Sequence, residues 1–153
     1  MNNYLITTLC YIEKDGEYLM LLRNKKEHDA SRGKWIGVGG KLEEGESPEE
    51  CVIREAFEET GLTVKPVFRG VVTFVSDEEQ NELMFLYTAD SFTGELLEEC
   101  NEGMLSWIPK NRIMELNLWE GDRIFLKRLI EGSTDIMLKL EYEGGALVRY
   151  KEE

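Results

Sequence analysis

The chain is poor in several residue types, and each shortage excludes something. It has one histidine, His28, so no mechanism that needs two is open to it. Its three cysteines, Cys10, Cys51 and Cys100, are odd in number and far apart, with no CxxC pair. That argues against a disulfide framework or a cysteine zinc site and for a reducing compartment, the cytoplasm. Three prolines leave no Pro-rich linker, and no apolar run approaches the roughly 18–20 residues of a membrane span. The opening MNNYLITTLCYI has neither a basic n-region nor a small-residue cleavage site, so no secretory leader is expected. Basic residues are scarce as well. Lys and Arg number 18 against 31 Asp and Glu, a net charge of −13. Such a surface repels nucleic-acid polymers and anionic membranes, so neither is expected as a partner.

What is present describes a globular chain. The hydrophobic share is 42% and the aromatic share 10% over 153 residues, about the length of one domain, expected over residues 1–153. Strands are predicted at residues 4–12, 18–22, 64–75, 83–89 and 104–108. A further pair, 136–142 and 146–150, flanks the Gly144-Gly145 hairpin signal. Short helices are predicted at 109–116 and 122–131. The strongest element signal is Ser47-Pro48-Glu49-Glu50: serine suits the N-cap, proline the first turn, and Glu50 completes a capping box. That helix should run to Thr60, with Gly61 as its stop. Many strands with two or three helices give an α+β fold, a mixed sheet with helices packed on it.

On a 100° wheel this helix gathers Val52, Ile53, Ala56, Phe57 and Thr60 on one expected face, and Glu55, Glu58 and Glu59 on the other, with Arg54 at its edge. Carboxylates at i,i+3 and i,i+4 repel one another by a few tenths of a kcal/mol. By composition alone they are either a solvated acidic face or a site for a hard divalent cation.

The spacing around them decides. Gly40 is followed by five residues, Glu46, seven residues, and then Arg54-Glu55-Ala56-Phe57-Glu58-Glu59-Thr60-Gly61-Leu62. This resembles the Nudix box, GX5EX7REUXEEXGU, over residues 40–62; Ala56 is smaller than the usual bulky apolar residue. The resemblance implies an α/β/α sandwich and a hydrolase acting on nucleoside diphosphates linked to another moiety. It implies Mg²⁺, or Mn²⁺, held by Glu55, Glu58, Glu59 and the carbonyl of Gly39. Arg54 would orient a carboxylate and Glu46 would brace the loop. A negative protein acting on a negative phosphate chain needs such cations to bridge the two.

The likeness continues outside the box. Gly33–Lys41, GKWIGVGGK, resembles the entry to MutT/MutX-type 8-oxo-dGTP diphosphatases. Asn101-Glu102-Gly103, shortly before Trp107, stands where these place a further acidic ligand, which implies Glu102. Leu118–Asp122 resembles their purine-holding segment, which implies Trp119 as a stacking residue and Asp122 as a base reader. Arg23 and Lys41 are candidate phosphate contacts and Phe74 a candidate pocket wall. Ile36 stands where purine-sanitising members carry an asparagine, and Gly121-Asp122 where they carry two aspartates. Those departures leave the base open, so ADP-ribose, a dinucleotide polyphosphate or a pterin triphosphate are the alternatives. A nucleotide sensor without catalysis is a further one, but such modules usually lose a box carboxylate and every one is present here. A monomer or weak homodimer is expected.

Overall fold

A computed structural model describes residues 3–153. Eleven strands and two α-helices are arranged in the order β1 (Leu5–Lys14), β2 (Glu17–Arg23), β3 (Trp35–Ile36), α1 (Pro48–Thr60), β4 (Leu62–Val64), β5 (Val67–Ser76), β6 (Glu82–Ala89), β7 (Phe92–Gly94), β8 (Glu99–Cys100), β9 (Gly103–Pro109), α2 (Glu120–Ile130), β10 (Ile136–Glu143) and β11 (Ala146–Glu152). A 3₁₀ turn, Lys110–Glu115, follows β9.

The main sheet runs β11-β10-β5-β6-β1-β2-β9-β8, with β3 paired to β2. It is mixed, because β1–β6 and β10–β5 are parallel and the other pairs antiparallel. Both faces of its centre are covered, which explains why β1 is buried nearly end to end instead of alternating. Leu9 and Tyr11 point to one core, where α2 contributes Phe125, Leu126 and Leu129. Cys10 and Ile12 point to the other, where α1 contributes Val52 and Ala56. The result is the α/β/α sandwich that the box implies. Among the described residues no helix is long and apolar enough to cross a membrane.

The box helix has the limits its sequence dictates. Ser47 Oγ accepts from the Glu50 backbone N–H at 3.1 Å, Glu50 Oε1 accepts from the Ser47 backbone N–H at 2.9 Å, and Gly61 closes the helix in the left-handed conformation.

Three expectations need correction, and one element takes a tighter form. The single strand at 64–75 is two: Leu62–Val64 pairs with Phe92–Gly94 in a separate two-stranded sheet, and Val67–Ser76 joins the main one. Pro66 lies at the break, where it has no N–H for a ladder. The short helix expected at 109–116 is present as a 3₁₀ helix, Lys110–Glu115. α2 begins at Glu120, two residues before Asp122. On α1, Phe57 is 56% exposed while Glu59 is only 6% exposed. The buried face is centred on Cys51, Val52, Ala56 and Glu59. Glu59 is seven residues, two turns, from Val52 and so falls within about 20° of it on the wheel.

Candidate active site

The glycine-dense segment before α1 runs alongside β1. Thr8 N–H donates to Gly40 O at 2.9 Å, and Cys10 and Val38 exchange backbone hydrogen bonds at 2.7 and 3.0 Å. This brings Gly39 against α1, where its N–H donates to Glu59 Oε2 at 2.9 Å. The Glu55 carboxyl lies close over Gly40: a Cβ there would stand 2.6 Å from its carboxyl carbon and would have to push the side chain aside.

Arg54 ties the loop to the helix. Its Nε and Nη2 donate to the two Glu46 oxygens at 2.7 and 3.0 Å, and Nη2 also donates to Lys41 O at 3.1 Å. Its Nη1 reaches Glu55 Oε1 at 2.8 Å and Glu58 Oε2 at 3.3 Å. The guanidinium holds the Glu46 carboxyl well below its ordinary value, at about 2.

Glu102 comes from elsewhere, in the tight turn between β8 and β9. It faces Glu59. Burial raises the Glu59 carboxyl far above its ordinary value, and Glu102 beside it pushes the same way. Burial also raises Glu55, with Glu58 and Glu102 adding to it and Arg54 opposing. Glu102 Oε2 is buried and has no hydrogen-bond partner. Thus Glu55, Glu59 and Glu102 converge, while Glu58 is the most exposed, its side chain at 57%. Among the described residues no three such groups are arranged to hold an ion as they stand; Glu55 and Glu58 are both turned to Arg54.

The donor set nevertheless fits a hard divalent cation. It consists of carboxylate oxygens on crowded like-charged groups, one of them buried without a hydrogen bond, the condition that a bound cation relieves.

A second cluster lies on the α2 side of the sheet, at the start of β6. Phe74 and Tyr142 stack with centroids 6.5 Å apart, and Trp119 meets Tyr142 edge-on at 5.7 Å. Lys34 Nζ stands 4.9 Å over the Trp119 ring. Asp122 is 6% exposed, and none of the side-chain hydrogen bonds of the first turn of α2 caps the helix with it. Burial, and then the Glu82 charge, raise its carboxyl to about 7, with Lys34 opposing. Where relatives carry a pair of aspartates, Gly121 is packed closely: its N–H donates to Tyr142 Oη at 2.7 Å, and a Cβ there would stand 2.6 Å from Leu140 Cδ1.

Sequence reasoning passed over Glu82, Thr7 and Tyr142. Thr7 Oγ1 donates to Glu82 Oε2 at 2.5 Å. Alternation along β6 holds a usable signal, since Glu82 shares a face with the core residues Met84 and Leu86. Lys41 touches this region through its bridge to Thr7, and its charge opposes the upward shift of Glu82. Arg23 is engaged on the other side: its Nε donates to Asp29 Oδ2 at 2.6 Å, and its Nη1 lies 3.3 Å from Glu102 Oε2. Ile36 sits in β3, half-buried beside Leu21.

The NUDIX domain model matches residues 4–129. The chain belongs to the Nudix family. A Nudix hydrolase of Bacillus subtilis, YvcI, is 38% identical over 130 residues, covering 82% of this chain and 78% of that protein. The oxidized purine nucleoside triphosphate hydrolase of Danio rerio is 30% identical over 129 residues, covering 82% and 80%. The crystal structure of a MutT protein from Bacillus halodurans superposes with a TM-score of 0.88 at 30% identity, over 97% of each chain. The chain is therefore a Nudix hydrolase of the MutT type, with the Nudix fold over its mixed sheet, in a family whose substrates are small nucleotides and whose chemistry generally uses divalent metal.

The Asp122 value carries a stability consequence. The unfolded chain loses this proton near the ordinary 3.8, the folded chain near 7. A carboxyl raised on folding costs stability as pH climbs from about 4 to about 7, and the full cost of roughly 4 kcal/mol persists above that. Asp122→Asn removes it. Urea unfolding should show the variant gaining about 2–4 kcal/mol on wild type between pH 5 and pH 8. A difference independent of pH would mean that burial does not hold Asp122 neutral.

Proposed function

We propose that this Nudix hydrolase cleaves purine nucleoside triphosphates, the oxidised 8-oxo-dGTP among them, to the monophosphate and pyrophosphate. The observation that carries the reading is the meeting of Glu59 and Glu102, one from the box helix and one from a hairpin turn, with a buried Glu102 oxygen that has no hydrogen bond and only the Arg23 guanidinium near it. The relative from Danio rerio, named for hydrolysis of oxidised purine triphosphates, supports the substrate class.

In this reading Glu55, Glu58, Glu59 and Glu102, with the Gly39 carbonyl, hold Mg²⁺, or Mn²⁺ in its place. When bound, the metal supplies Lewis acidity toward phosphoryl oxygens and lowers the pKa of a coordinated water. The side chains do the rest. Arg54, anchored on Glu46, keeps Glu55 and Glu58 aimed from the helix. A box glutamate accepts the proton of the attacking water. Lys41 and Arg23 offset charge on the phosphate chain, while Phe74, Trp119 and Asp122 receive the base. The three cysteines are free, two of them buried, which suits work in a reducing cytoplasm.

Product analysis by phosphorus NMR tests the reaction. With Mg²⁺ the expected products of 8-oxo-dGTP are nucleoside monophosphate and pyrophosphate in equal amounts, and none with EDTA. Release of single phosphates, or turnover in EDTA, would overturn it. Glu102→Gln separates a functional from a surface glutamate. Turnover should fall by about tenfold or more, the scale of a lost ligand or its immediate support. The cation-free melting temperature should hold or rise slightly, because a like charge beside Glu59 is removed. Wild-type behaviour in both respects would make Glu102 an ordinary loop acid.

A further inference from the structure

A continuous line of polar contacts joins the two clusters, and it runs through the loop of residues 24–34. Trp119 Nε1 donates to Ser31 Oγ at 3.0 Å. The Ser31 backbone N–H donates to Asp29 Oδ1 at 2.9 Å, and Asp29 Oδ2 accepts from Arg23 Nε at 2.6 Å. Arg23 Nη1 ends the line, 3.3 Å from Glu102 Oε2. The Asp29 side chain is 8% exposed, although residues 24–28 before it are exposed. Both of its oxygens are in use.

Arg23 therefore stands between two carboxylates and serves them unequally. Asp29 takes the short, aligned, charge-assisted hydrogen bond. Glu102 has the guanidinium near it but no hydrogen bond to Oε2. Lys26, the other nearby cation, is 3.9 Å from Glu102 Oε1, at the limit of an ion pair.

We propose that Asp29 is a positioning residue: it takes the aligned hydrogen bond of Arg23 and so keeps the guanidinium in a loose ion pair with Glu102, which a divalent cation can displace to bind Glu102 together with Glu59. This rests on the reading of Glu102 as a cation ligand and extends it to a residue outside every motif in the sequence. In Asp29→Asn the acceptor loses its charge, Arg23 turns its loose ion pair with Glu102 into a hydrogen-bonded one, and an incoming cation must displace a more tightly held guanidinium. Ser31 fixes the loop at the Trp119 end, so the arrangement is held from both sides.

The test is Mn²⁺ binding to the substrate-free protein, with free Mn²⁺ counted by electron paramagnetic resonance. Asp29→Asn should weaken Mn²⁺ binding by about tenfold, the scale of an outer-shell partner. Asp29→Glu, which keeps the charge, should bind Mn²⁺ close to wild type, and a loss as large as that of Asp29→Asn would count against the proposal. Most of the Asp29→Asn loss should vanish in an Arg23→Ala background, because the two residues act as one unit. Melting temperatures confirm that each variant is folded. A loss equally large with and without Arg23, or no loss in the wild-type background, would overturn the proposal. Glu102→Gln is the separate arm. If it leaves Mn²⁺ affinity unchanged, the reading of Glu102 as a ligand fails and the role of Asp29 falls with it. If Glu102→Gln weakens binding and Asp29→Asn does not, only the role of Asp29 is refuted.

Discussion

Glu58→Gln is expected to lower kcat by roughly 10²-fold or more, the scale of a removed ligand or electrostatic stabiliser. Its fold should be untouched. Glu58 is the most exposed of the box carboxylates, its contact is the Arg54 guanidinium at 3.3 Å, and that guanidinium keeps Glu46 and Glu55 after the change. Loss of one negative charge from the helix also relieves repulsion with Glu55. A large kinetic effect with an unchanged melting temperature is thus the signature to look for. Near-wild-type turnover in a folded Glu58→Gln protein would remove the box helix from the chemistry. Glu59→Gln is a less clean probe, because Glu59 is buried and accepts from the Gly39 N–H, so loop and helix could shift together.

The second large effect is on base choice. Asp122→Ala should reduce kcat/KM for 8-oxo-dGTP and dGTP by about 5- to 150-fold more than for dATP, the value of one bidentate base contact. Guanine offers two donors side by side, N1–H and the N2 amine, and a carboxylate accepts both. Adenine presents an acceptor at N1. The contact requires ionised Asp122, whose carboxyl sits at about 7 among Glu82, Lys34, Tyr11 and Tyr142. The guanine preference of the wild type should therefore grow from pH 6 to pH 8 and flatten in Asp122→Ala. An equal fall on all three nucleotides would make Asp122 part of the scaffold of α2 and place base reading elsewhere. The contact sees only the guanine edge, so preference for the oxidised base needs a further acceptor for N7–H.

Much of this was legible in the residues. The caps of α1 follow from Ser47, Pro48, Glu50 and Gly61, because capping is local chemistry that needs no tertiary partner. The hairpin at Gly144-Gly145 follows from turn chemistry in the same way; both residues have positive φ. The box spacing carried the acidic cluster. The misplaced face of α1 has a physical reason. An apolar stripe on the wheel includes Phe57 and leaves out Glu59. The true inward face mixes Cys51, Val52 and Ala56 with a carboxylate, since it packs on the sheet and on the site at once. A pattern rule that counts only apolar residues fails where a polar group is buried. Phe57 in turn is the apolar residue left outside.

Contacts between distant segments were not legible. The short strands β3, β7 and β8 exist through their partners; Phe92–Gly94 pairs with Leu62–Val64 across about 30 residues, and no periodicity announces it. Asp29 looks like any loop aspartate until Arg23 is placed beside it. Glu82 looks like the edge of a turn until β1 and β5 flank it on the sheet, and only then does its charge bear on Asp122. Arg23, a candidate phosphate contact by position, is also the neighbour of Glu102, and the sequence shows only the first of these.

The most direct measurement of the central claim is kcat/KM across a nucleotide panel in Mg²⁺, read as pyrophosphate or monophosphate formed: 8-oxo-dGTP, dGTP, dATP, ADP-ribose and a diadenosine polyphosphate. The account predicts that 8-oxo-dGTP ranks first, the guanine triphosphates exceed dATP, and ADP-ribose and the dinucleotide are poor. Highest efficiency on ADP-ribose or the dinucleotide, with the triphosphates inert, would contradict it.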